Sequence, residues 1–217
     1  MKRIAFFGGS FDPVHNGHLS IAQRLTSLFG LDEFVFIPAF HAPHKPDRRP
    51  TSAYDRFAML SLATRDETRI SVSKIELELP EKPYTVETLE RLKIDYPNTR
   101  IFFVMGADSW MDILTWREWE KVLAMVSHIV VTRPGYEIGF DHVTGEIRER
   151  IVDTRNNNGT WDLGPGAGEG RIYITDAVLV DVSATELRKE IKDGVPGWHG
   201  QVPAEVAKYI EKYQIYK

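Results

Sequence analysis

The first eighteen residues constrain this chain more than any other stretch. Ile4-Ala5-Phe6-Phe7 is an apolar run the size of a buried strand, and it ends on Gly8-Gly9. Two glycines at a strand end mark a turn where backbone can approach a ligand with no side chain between. From Gly17, Leu19, Ala22, Leu25 and Leu28/Phe29 recur at helical spacing until Gly30 stops the pattern. The layout is strand, glycine turn, helix. It aims the unpaired N–H groups and partial positive charge of a helix start at the turn, which favours a phosphate.

The same turn carries His15 and His18 around Asn16-Gly17. Three residues apart at a helix start, the two imidazoles can face the same way, and Gly17 removes a side chain that would crowd an anion. Ring donors and free amides converging on one point suit a transferring phosphoryl group, where catalysis is mostly positioning and charge stabilisation. A G-x-G-x-x-G dinucleotide fingerprint does not fit the spacing of Gly8-Gly9-Ser10. A zinc site would need two further ligands; there is no cysteine, and no third histidine clusters nearby.

The 217 residues can bury a full core, and one α/β domain over 1–217 is the economical expectation. A formal charge of −4 argues against non-specific nucleic-acid binding, which needs a basic footprint. Without cysteine there is no disulfide framework. No apolar run approaches the ~18 residues of a membrane span, and strand residues begin where a signal segment would lie. A soluble cytoplasmic protein with no membrane partner is expected.

Along the chain, residues 33–38 read as a second buried strand, followed by a Pro- and His-rich loop over 39–50 that contains Pro43-His44-Lys45. Residues 51–55 begin a helix with Ala53, Phe57, Leu60 and Ala63/Thr64 on one side. Residues 70–72 and 75–79 alternate as a half-exposed strand does. Thr85 is expected to cap a helix bearing Val86, Leu89 and Leu92. Residues 101–105 form a strand buried on both faces and ending at Gly106-Ala107-Asp108.

Trp116, Trp119, Val122 and Leu123 fall at helical spacing, with Trp119 in the core and Trp116 at the start, able to look into a cleft. Residues 128–132 form a strand ending in Arg133-Pro134-Gly135. Phe140, Val143, Ile147 and Ile151 suggest an amphipathic helix before a flexible, turn-rich insertion at about 153–170. The last strand material is 171–174 and 178–180. Ser183-Ala184-Thr185-Glu186 is a capping box for a helix running to Gly194, with Arg188 one turn in, and a final helix runs from Pro203 to Tyr213. Alternating strands and helices imply a mostly parallel sheet with helices on both faces and a small C-terminal helical part. Its ligand lies beyond the carboxyl ends of the strands, where their order reverses.

Gly9-Ser10-Phe11-Asp12-Pro13-Val14-His15-Asn16-Gly17-His18 closely resembles the first signature of the nucleotidyltransferases that use an H-x-G-H element. With Pro38 to Lys45, Tyr84-Thr85-Val86-Glu87-Thr88-Leu89, Gly106-Ala107-Asp108, Trp116, Arg133-Pro134-Gly135 and Val182 to Arg188, in that order, the chain resembles bacterial nicotinate-nucleotide adenylyltransferases. The resemblance implies a Rossmann-like nucleotidyltransferase fold. It also implies transfer of an adenylyl group from ATP, with Mg2+, to nicotinate mononucleotide, giving deamido-NAD and pyrophosphate. A homo-oligomer is left open.

By the same resemblance His15, His18, His44 and Arg188 are the catalytic set. Gly8, Gly9, Ser10, Phe11, Lys45, Gly106, Asp108, Arg133, Ser183 and Thr185 join His15, His18 and Arg188 around ATP. Ser10, His44, Tyr84, Thr85, Trp116 and Arg117 bind the mononucleotide, with Trp116 stacked on the pyridine ring. Ala184 stands where family members often carry serine, so one hydroxyl contact is absent. His18 is expected to be protonated when ATP is bound. A related adenylyl- or cytidylyltransferase would share the first signature but lack the Trp116 and Tyr84-Thr85 pieces. A catalytically silent nucleotide sensor would not need His15, His18 and Arg188 together.

Overall fold

The computed structural model describes residues 1–40, 51–78, 83–132, 137–155, 170–176 and 182–217. Among them are seven strands: β1 (Lys2–Gly9), β2 (Glu33–Pro38), β3 (Ile70–Val72), β4 (Thr99–Gly106), β5 (Ser127–Val131), β6 (Ile151–Asp153) and β7 (Ile172–Thr175). They form one sheet in the order β3-β2-β1-β4-β5-β7-β6, and every pairing is parallel. β1 and β4 are apolar without alternation because both faces of the sheet are covered.

Eight α-helices are described: α1 (Asn16–Leu28), α2 (Ala53–Thr64), α3 (Thr85–Asp95), α4 (Ala107–Met111), α5 (Trp119–Met125), α6 (Gly145–Arg148), α7 (Ala184–Asp193) and α8 (Ala204–Tyr213). Successive strand residues point to opposite faces, and the core divides accordingly. Phe7, Phe102 and Ile129 pack with Leu25 of α1, Met59 of α2, Leu187 of α7 and Val206 of α8. Phe6, Phe103 and Val130 pack with Leu89 of α3, Trp110 of α4, Val122 of α5 and Ile147 of α6. The expected α/β sandwich is present, with helices on both faces. No helix among the described residues is long and apolar enough to cross a membrane.

Several local expectations change. Residues 75–78 form a turn rather than a strand. The Leu77 and Glu78 N–H groups both donate to the Lys74 carbonyl (2.8 and 3.1 Å), closing the chain on itself straight after edge strand β3. The cap of α3 is Tyr84, not Thr85, because the Glu87 carboxylate accepts from the Tyr84 N–H at 2.7 Å. Only Gly145–Arg148 of the expected amphipathic helix is helical; Ile151 instead opens β6, which pairs with β7. Trp116 precedes α5 rather than belonging to it, since Glu118 at the cap takes a left-handed φ of 50°.

The inward stripe of α2 is Arg56, Met59, Leu60 and Thr64, displacing Ala53 and Phe57. α4 is too short to show periodicity and follows directly where a strand end was read. The expected strand at 178–180 and most of the insertion lie outside the described residues.

One core residue is chemically unusual. His128 of β5 is fully buried, with its ring edge-on to Phe103 at 6.1 Å. Burial, aided by the nearby Arg150 charge, pushes its pKa down to about 3.

Candidate active site

β1 and β4 are neighbours whose onward neighbours run outward in opposite directions, β2 on one side and β5 on the other. That is the topological switch point of the sheet, where an open α/β fold places its ligand. A cavity of about 340 Å³ opens there, lined by Gly8, Gly9 and Ser10 at the end of β1 and by Met105, Gly106, Asp108 and Ser109 at the end of β4 and the start of α4. Tyr84, Thr85, Trp116 and Arg117 form its other wall. Trp116 stands edge-on to Phe103 (6.5 Å). The Arg117 guanidinium lies 5.0 Å over the Tyr84 ring and bonds Glu87 at 3.0 Å. Nine of the expected substrate residues are thus brought together.

The histidine pair lies beside this cavity rather than in its wall, joined to it through Phe11. A Cβ on Gly9 would meet the Phe11 ring at 2.8 Å, so glycine is required there to seat that ring, not only to bare the backbone. Phe11 in turn stands edge-on to His18 at 5.0 Å. His15 and His18 are stacked, 3.7 Å between centroids and 25° apart, and so face one way as their spacing implied. The His15 N–H donates to His18 Nδ1 at 3.3 Å, which leaves the proton of a neutral His18 on Nε2. Burial first, and His15 second, hold the His18 pKa well below its ordinary value.

The start of α7 closes the other side. The Ser183 hydroxyl accepts from the Glu186 N–H at 3.4 Å, as the cap predicts. Arg188 Nη2 donates to the Thr185 hydroxyl at 2.9 Å and its Nη1 to the Asp12 carbonyl, so α7 is tied to the first signature. His44, Lys45 and Arg133 lie outside the described residues.

Against this geometry, the cytidylyltransferase-like family matches residues 6–190. A probable nicotinate-nucleotide adenylyltransferase of Corynebacterium jeikeium is 33% identical over 210 residues, covering 96% of this chain and 98% of the relative. A relative of the same description from Symbiobacterium thermophilum is 35% identical over 216 residues, covering 100% and 96%.

The chain belongs to the nicotinate-nucleotide adenylyltransferase family.

At the level of fold, this family member is similar to the Plasmodium falciparum nicotinic acid mononucleotide adenylyltransferase complexed with NaAD. The TM-score is 0.74 at 20% identity, covering 100% of this chain and 98% of that one.

The sequence reading missed three groups at this site: Arg56, Tyr216 and Glu76. Tyr216 donates from its hydroxyl to Asp12 Oδ1 at 2.6 Å. Burial, and next the Asp12 carboxylate, push its phenol far up, so it stays a donor.

Glu76 is carried into the cavity wall by the turn after β3. Its carboxylate accepts from the Thr88 hydroxyl at 3.0 Å and from the Phe40 N–H at 3.4 Å. Burial pushes it up to about 7 in spite of those bonds. An acid whose pKa is raised on folding loses stability as pH rises from the unfolded value, near 4.5, through 7. Partial exposure trims the effect to about 2 kcal/mol. Glu76→Gln is therefore expected to gain that much on the wild type between pH 4.5 and 8, read from urea unfolding at both pH values. A difference that stays constant would show that Glu76 does not titrate there.

Proposed function

We propose that the protein catalyses adenylyl transfer from ATP to nicotinate mononucleotide, releasing pyrophosphate and forming deamido-NAD. The reading rests above all on full-length relatedness to nicotinate-nucleotide adenylyltransferases, with the aromatic-walled cavity and the stacked histidines meeting at one switch point in support. The mononucleotide phosphate is already an anion and needs no general base. It attacks the α-phosphorus of ATP in line; a new P–O bond forms, the bond to the β,γ-pyrophosphate breaks, and pyrophosphate leaves.

In this scheme the start of α1, His15 and His18 hold the phosphates where charge builds up. Ser183, Thr185 and Arg188 meet the outer phosphates, and the family resemblance adds His44 and Lys45 to the catalytic groups. Trp116 stacks on the pyridine ring, while the Tyr84 and Thr85 backbone faces its carboxylate. Among the described residues no cluster of three or more His, Asp or Glu side chains is placed to hold a metal. The magnesium that the resemblance implies would accompany ATP and offset charge on its phosphates.

The test is pyrophosphate release from ATP on adding nicotinate mononucleotide, run beside its amide. Release with the acid is expected to exceed release with the amide. ATP binding without release on either would identify a sensor rather than an enzyme.

A further inference from the structure

Arg56 is 1% exposed and lies in the interior stripe of α2 with Met59, Leu60 and Thr64. A methionine would fill that space without the cost of burying a charge. What the guanidinium adds is three directed bonds, each to a main-chain carbonyl. Nη1 donates to Ser10 (2.6 Å), Nη2 to Ala39 (2.6 Å) and Nε to Thr51 (3.0 Å). Ser10 belongs to the glycine turn, Ala39 follows β2, and Thr51 precedes α2. The Thr51 N–H donates to Asp12 Oδ2 at 3.3 Å, returning the connection to the first signature.

Across a trans peptide, a carbonyl and the following N–H point in opposite directions. Turning the Ala39 carbonyl to Arg56 therefore turns the Phe40 N–H away, and that N–H indeed reaches Glu76 in the cavity wall. The same rule applies one turn earlier: with the Ser10 carbonyl on Arg56, the Phe11 N–H points away from it.

We propose that Arg56 is a positioning residue for adenylyl transfer: it fixes the Ser10–Phe11 peptide so that the Phe11 N–H is presented to the ATP phosphates. This rests on the ATP-dependent reading above. A planar guanidinium can serve three carbonyls at once and an ammonium cannot reproduce that fork, so Arg56→Lys keeps the charge and loses the geometry.

Steady-state kinetics of Arg56→Lys should show kcat/KM for ATP down on the order of 30-fold, with a raised KM for ATP. The KM for nicotinate mononucleotide should stay within about twofold. A purely structural role would lower kcat in proportion to the folded fraction and leave both KM values unchanged, which would overturn the proposal. So would wild-type kinetics. Should the variant fail to fold, the unaltered protein decides. The Phe11 amide resonance must shift on addition of ATP alone, and an unmoved resonance overturns the proposal. That measurement needs no turnover, so it stands apart from a failure of the wild type to release pyrophosphate.

Discussion

His18→Ala is expected to lower turnover by about 10³-fold while weakening ATP binding by less than about tenfold. The ring is fixed on three sides, stacked on His15 and met edge-on by Phe7 and Phe11, so its donor atom is placed before substrate arrives. Such preorganised donors act most strongly where charge develops in the transition state. The sequence suggested an imidazolium once ATP is bound. In the free protein burial keeps the ring neutral, with its one proton on Nε2 because Nδ1 accepts the His15 N–H. Single-turnover rates and ATP titration of the same variant check the split; equal losses in rate and affinity would reduce His18 to ground-state binding.

The second large effect is on acid stability. An unfolded histidine takes up a proton near pH 6.5, whereas buried His128 resists until about 3. Below 6.5 the unfolded state therefore binds the extra proton, and stability falls as pH drops through that window. At about 1.4 kcal/mol per unit the loss reaches about 5 kcal/mol, comparable with the whole stability of many domains. His128→Gln is expected to flatten the wild-type decline between pH 6.5 and 4, followed by urea unfolding. Parallel declines in the two proteins would move the cause of acid lability elsewhere.

The strands and longer helices were legible because their apolar residues repeat at a period of two or three to four, or run unbroken where both faces are covered. The opening signature was legible for a different reason: its turn, helix start and histidines are contiguous in sequence. Arg56 was hidden because a charged side chain in a helix reads as solvent-facing, and only three carbonyls from separate segments reverse that. Glu76 was hidden by the alternation at 75–78, which imitates a strand but closes as a turn. Tyr216 meets Asp12 across 204 positions and leaves no local pattern at all.

That last contact, with Arg188 on the Asp12 carbonyl and the Asn16 amide donating to the Gly200 carbonyl at 2.9 Å, bears on biogenesis. A ribosome delivers the two histidines almost at once, but the loop that aims them waits for partners made 176 to 204 residues later. A protease nicking the stretch beyond α8 would disarm, from the far end, the part of the protein made first.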